Sequence, residues 1–171
     1  MHEVTVDTRE TKIRLASEAD LATINSIYNY YVLNSTCTFQ TEPDTAEDRM
    51  RWFAAHDSLH PVTVAENESK VVAWASLSRY NSRSAYRYTV EDSVYVCNNM
   101  QGRGIGTVLL ADLIQQAEAH GHHSMVAIIA AEQTGSIRLH QRLGFLKVGQ
   151  ICEAGRKFDR WLDVVFMQRM L

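Results

Sequence analysis

Apolar positions along this chain change period several times. Ile13 and Leu15 flank Arg14 in a short alternating run, which predicts a strand. Ser17-Glu18-Ala19-Asp20 follows as a helix start, with Ser17 as the N-cap and Asp20 favouring the first turn. Leu21, Ile24, Ile27, Tyr28 and Tyr31 then recur at helical spacing. Residues 34–43 are a polar connection containing Phe39, and Thr45 opens a second helix that the spacing expects to turn Met50, Phe53 and Ala54 inward. Residues 61–65 and 71–77 read as strands around the Asn67-Glu68-Ser69 turn, and residues 86–96 as the longest strand. A helix from Ile105, with Ile105, Val108, Leu109 and Leu113 on one face, stops at Gly121. Residues 125–130 form an unbroken apolar run, the mark of a central strand. A short helix over 136–143 ends at Gly144, and strands over 145–152 and 161–167 finish the chain, joined by residues 155–160.

Strands interspersed with helices predict a mixed α/β (α+β) architecture: one domain with a central, mostly antiparallel sheet, parallel near its middle and flanked by helices. No repeat, low-complexity block or Pro/Ser-rich linker divides the 171 residues, so residues 13–171 read as a single domain and residues 1–12 as an N-terminal extension.

Bulk properties narrow the function. A net charge of −3 without a long basic run argues against a nucleic-acid partner. No apolar stretch approaches the ~20 residues of a membrane helix, and residues 1–10 are polar and acidic, unlike a secretory signal. Cys37, Cys97 and Cys152 are odd in number and far apart, which suits buried free thiols in a reducing cytoplasm. His120, His122 and His123 straddle Gly121 without a carboxylate or cysteine at ligand spacing, so no metal is expected there.

The segment richest in chemistry is Gln101-Gly102-Arg103-Gly104-Ile105-Gly106-Thr107, between the Val94-Tyr95-Val96 run and the Ile105 helix. A glycine-rich turn at a helix start presents unpaired backbone N–H groups and a positive dipole end, a seat for a pyrophosphate. No Gly-Lys-Ser/Thr follows, so it is not a P-loop; Thr107 stands where the dinucleotide fingerprint has its third glycine. On a regular strand Glu91 shares a face with Ser93 and Tyr95, and Asp92 faces the other way. A carboxylate in a partly desolvated pocket can take a proton from an ammonium group.

Four separated stretches resemble the GNAT N-acetyltransferases. They are Tyr88-Thr89-Val90-Glu91-Asp92-Ser93-Val94-Tyr95-Val96, the glycine turn, Ser136-Ile137-Arg138-Leu139-His140-Gln141-Arg142-Leu143-Gly144-Phe145, and Gly155-Arg156-Lys157-Phe158-Asp159-Arg160-Trp161-Leu162-Asp163. Together they look like the phosphinothricin/methionine sulfoximine acetyltransferase branch, over residues 13–168. The resemblance implies acetyl-CoA as co-substrate, a small amino acid as acceptor, direct transfer and a homodimer. It also implies a sheet that splays beside Val94, Tyr95 and Val96, whose backbone groups would pair with the pantetheine arm. Residues Gln101, Gly102, Arg103, Gly104, Ile105, Gly106 and Thr107 would hold the pyrophosphate, and Ser136 and His140 would lie on the cofactor side. Glu91 would be the catalytic base, and His140 a contact to CoA or the acid for the departing thiolate. The family usually has asparagine where this chain has Gln133, one methylene longer. On the acceptor side the resemblance points to Tyr28, Tyr31 and Phe39 as cover, and to Arg83, Tyr86 and Arg87, whose guanidinium groups suit a carboxylate. Alternative readings are an acetyltransferase of protein N-termini or polyamines, and a non-catalytic acyl-CoA-binding module.

Overall fold

The computed structural model describes residues 11–171. Eleven elements are introduced in chain order: β1 (Lys12–Leu15), α1 (Leu21–Asn34), α2 (Ala46–Ala54), β2 (Val62–Asn67), β3 (Lys70–Arg79), β4 (Thr89–Val96), α3 (Ile105–Ala119), β5 (Ser124–Ala130), α4 (Thr134–Arg142), β6 (Leu146–Lys157) and β7 (Arg160–Met170). The seven strands form one sheet in the order β1-β2-β3-β4-β5-β7-β6. Every neighbouring pair is antiparallel except β4 and β5. That exception follows from connectivity: α3 carries the chain back across one face before β5, as a parallel pair requires.

Side-chain alternation sorts the strands onto two cores. Ala73, Ala75 and Leu77 of β3 and Val90 of β4 pack with Ile105, Leu109 and Leu113 of α3. On the other face Trp74 packs with Leu21, Ile24, Ile27 and Tyr31 of α1, and Tyr95 lies against that cluster. Adjacent positions on one strand thus serve opposite layers.

The structure corrects several expectations. The strand expected over 86–96 begins only at Thr89, because Ser84–Tyr86 is a 3₁₀ turn. β6 is longer, since the segment taken as a connection between the last strands is itself paired up to a tight turn at Phe158 and Asp159. In α3, Val108 is exposed while Leu110 and Ile114 join the core. In α2, Met50 and Ala54 face solvent and Arg49 faces inward. Its guanidinium lies 4.6 Å from the Tyr28 and Trp52 ring centroids and pairs with Asp44 at 2.7 Å. A buried arginine is tolerable when charge and ring faces both find partners, which hydrophobic periodicity cannot register. Cys152 is exposed, not buried, whereas Cys37 and Cys97 are partly buried. Of the expected N-terminal extension, residues 1–10 lie outside the described residues, and Lys12 already belongs to β1.

Candidate active site

β4 and β5 are bonded only at their beginnings, where Thr89, Val90 and Glu91 lie beside Ser124, Met125 and Val126. Beyond that β4 follows β3 to Val96, and β5 follows β7 to Ala130. The two strands diverge, and the β4 edge turned toward β5 is left without a ladder partner. A cavity of about 890 Å³ fills the opening, within the ~300–1,000 Å³ of small-molecule sites. Its walls are residues 91–96, residues 127–130, the glycine turn, one side of α4, and the segment after α1 that carries Cys37, Thr38 and Phe39.

The glycine-rich start of α3 forms part of this cavity. Gly104 is the N-cap of α3 with φ 81°, a left-handed conformation that side chains resist. Its carbonyl accepts the first bonds of the helix, from Thr107 and Val108. The amides of Ile105 and Gly106, in the first turn, have no hydrogen-bond partner among the described residues. Gln101, Gly102, Gly104, Ile105, Gly106 and Thr107 all line the cavity, whereas Arg103 does not. The Gln101 side chain donates to the Tyr31 hydroxyl at 2.7 Å, and that hydroxyl donates to the Val96 carbonyl. Burial pushes the Tyr31 phenol up to about 12, so it remains a donor. Tyr31 therefore ties α1, the end of β4 and the glycine turn together. The only sequence signal was a tyrosine on the buried stripe of α1, whose hydroxyl needs a partner.

Glu91 lines the cavity, partly buried, between Ser78 of β3 and Val126 of β5. Among the described residues its carboxylate has no hydrogen bond or ion pair; neither Arg87 nor Lys70 reaches it. Burial first, and the charge of Asp92 second, push its pKa above the ordinary value. Asp92 points to the opposite layer, as alternation requires, where its Oδ2 lies 2.9 Å from His140 Nε2. His140 Nδ1 lies 2.8 Å from the Ser136 carbonyl. A carbonyl only accepts, so Nδ1 carries a proton, and a second proton is shared between Nε2 and Asp92. Burial opposes a charged ring, but the Asp92 hydrogen bond and charge and the Ser136 carbonyl outweigh it and raise the His140 pKa. Both ring nitrogens are thus engaged, and the pair fastens α4 to β4. Spacing did not reveal this, because the partners are 48 residues apart.

The wall formed by the segment after α1 is held by long-range contacts. Lys157, buried at the end of β6, donates to the Ser35 and Thr38 carbonyls at 2.8 Å each. The Thr36 hydroxyl donates to Glu132 and accepts from Gln133 at 2.9 Å. Gln133 and Ser136 both line the cavity, and the Gln133 amide is turned to Thr36. Tyr28 is not in the lining; it packs on Tyr95 and Arg49 and bonds the Thr38 hydroxyl at 2.9 Å. Tyr28 thus braces the wall that Thr38 and Phe39 form. Arg83, Tyr86 and Arg87 are exposed around the 3₁₀ turn and lie outside the lining. Among the described residues no group of three or more His, Cys, Asp or Glu is arranged to hold a metal, and no helix is long and apolar enough to cross a membrane.

A splayed β4–β5 pair, with a glycine-capped helix start and a glutamate without a partner among the described residues lining one cavity, is the arrangement of an acyl-CoA-dependent transferase. Residues 24–145 match the acetyltransferase (GNAT) family, and the chain belongs to it. It is 42% identical over 160 residues to the L-methionine sulfoximine/L-methionine sulfone acetyltransferase of Salmonella typhimurium, covering 93% of this chain and 94% of that one. It is 39% identical over 169 residues to the phosphinothricin N-acetyltransferase of Streptomyces coelicolor, covering 96% and 98%. The crystal structure of a GNAT superfamily phosphinothricin acetyltransferase from Sinorhizobium meliloti in complex with acetyl-CoA superposes with a TM-score of 0.91 at 38% identity, covering 95% of this chain and 89% of that one.

Proposed function

We propose that this protein transfers the acetyl group of acetyl-CoA to the α-amino group of a small amino acid or analogue, such as methionine sulfoximine, methionine sulfone or phosphinothricin. The observation that carries this reading is the single cavity that joins the first-turn amides of α3 to Glu91, whose carboxylate has no partner among the described residues. The first-turn amides and dipole of α3 receive the pyrophosphate. The open edge of β4 from Val94 to Val96 pairs with the pantetheine amides, as an added strand would. Glu91 takes a proton from the acceptor ammonium group, directly or through water, and the freed amine attacks the thioester carbonyl; as the amide forms the C–S bond breaks, and coenzyme A leaves as its thiolate, which takes up the proton that the attacking nitrogen gives up. No covalent acyl-enzyme is needed. With both nitrogens bonded, His140 holds the cofactor-side wall together with Asp92.

The names and identities of the relatives support the acceptor class. Free thiols suit a cytoplasmic protein. The β6–β7 hairpin supports a homodimer: β6 is a sheet edge, and Leu146, Val148, Ile151 and Trp161 expose apolar surface along it. Light scattering at micromolar concentration should give twice the chain mass; a monomer mass would reject the dimer.

The test is thiol release from acetyl-CoA across a panel of amino acids, their sulfoximine, sulfone and phosphinate analogues, polyamines and short peptides. Turnover is expected with free amino acids or their analogues. Turnover confined to polyamines or peptides would move the acceptor class. Acetyl-CoA binding without turnover on any amine would make the protein an acyl-CoA-binding module.

A further inference from the structure

The wall that faces the acceptor rests on β6, and two positions of that strand are shaped for it. Gly155 and Lys157 are two residues apart, so regular alternation presents both on one face. Lys157 grips the backbone of the segment after α1 through the Ser35 and Thr38 carbonyls. Gly155 receives its side chain: a Cβ built on Gly155 would stand 2.5 Å from both Cδ2 and Cε2 of Phe39. That separation is far inside the ~3.5–4.0 Å of a carbon–carbon contact. The ring therefore lies on the bare backbone of β6, with the cavity beside it.

The φ angle of Gly155 is not among the positive values, so its missing side chain answers to the approach of Phe39 rather than to a strained turn. The ring has little freedom to withdraw by moving its own backbone. Lys157 holds the Thr38 carbonyl, and Tyr28 holds the Thr38 hydroxyl. Any atom added at Gly155 must displace the ring by rotation about its own bonds, away from β6, and so change the wall that Phe39 lends to the cavity.

We propose that Gly155 is a specificity-determining residue for the acceptor. By leaving room for Phe39 against β6, it sets the width of the acceptor end of the cavity, and with it the side-chain size that the enzyme admits. This rests on the N-acetyltransferase reading above. It adds a residue outside the cavity lining that acts through Phe39.

The test compares kcat/KM for two acceptors that differ in side-chain length, methionine sulfone and alanine, in the wild type, Gly155→Ala, Phe39→Ala and the double variant. Gly155→Ala should lower the methionine sulfone/alanine ratio at least about fivefold while the KM for acetyl-CoA stays within about twofold. Adding Phe39→Ala should abolish that loss, because the displaced ring is then gone. A folded Gly155→Ala protein, by circular dichroism, whose ratio stays within about twofold of wild type would overturn the proposal. Where Gly155→Ala does not fold, Phe39→Ala alone decides: the ratio must rise, and an unchanged ratio rejects Phe39 as the limiting wall. If the wild type acetylates neither amino acid but does acetylate another amine, the acceptor reading has failed instead. The same variants are then compared on a long and a short amine, with the same outcomes required.

Discussion

Replacing Glu91 by Gln tests the centre of the mechanism, and the structure predicts opposite signs for activity and stability. The substitution keeps the shape of the side chain and removes its ability to accept a proton. General acid–base assistance is worth ~10²–10⁴-fold, or ~2.7–5.4 kcal/mol of barrier at about 1.36 kcal/mol per decade, and a fall in kcat of that size is expected. Binding of acetyl-CoA, for which we propose the first-turn amides of α3 as the seat, should be unchanged by calorimetry. The stability effect follows from the raised pKa of Glu91, caused by burial and then by Asp92. A carboxyl whose folded pKa lies above its unfolded value, about 4.3, binds its proton more tightly when folded. Its favourable contribution is complete below the unfolded pKa and is lost as pH rises through the folded one. At pH 7, above the unfolded pKa, burial without a partner therefore makes Glu91 a liability, and Glu91→Gln should raise Tm there. That gain should disappear below about pH 4. In the wild type the acid limb of the kcat profile should lie above the ordinary carboxylate range, because the base must be ionised to work. A variant within about threefold of wild-type kcat, or one with a lower Tm at pH 7, would refute the reasoning.

Gly104→Val places a branched side chain at φ 81°, costing ~1–2 kcal/mol in that region, so the domain should stay folded while calorimetry shows acetyl-CoA affinity collapsing. Asp92→Ala leaves His140 buried without its partner, which typically costs about 3–5 kcal/mol, or roughly 6–20 °C in Tm for a domain of this size. The raised His140 pKa means that the pair stabilises fully below about pH 6.5 and fades as pH rises through the folded value. The gap in Tm between wild type and Asp92→Ala should accordingly be widest near pH 6 and narrow in alkali; a gap that widens with pH would contradict the assignment.

Much of the fold was legible because local period is a property of the chain itself. Strand alternation in β3 and β4, the helical stripe of α1 and the glycine start of α3 each follow from which neighbours share a face. The same logic made Glu91 a candidate, since alternation alone separates it from Asp92. What failed locally failed for local reasons: residues 84–88 carry a strand's aromatic character yet fold into a 3₁₀ turn, and the outer half of β6 lacks apolar alternation although β7 pairs with it. Arg49 broke the pattern in α2, because a charged residue can face inward wherever rings and a carboxylate await it.

The sequence by itself determined most of the elements, the glycine-rich start of α3 and the family. Only the tertiary structure decided which polar groups meet. Asp92 finds His140 because α4 crosses the layer that Asp92 faces, and Gln101 finds Tyr31 across 70 residues because α1 lies over the end of β4. Lys157 and Gly155 reach the segment after α1 because the sheet order returns β7 to β5 and sets β6 beyond it. A residue's own face is set by backbone geometry within a few positions. Its partner depends on which distant elements the sheet order brings alongside, and the spacing of residues carries no record of that.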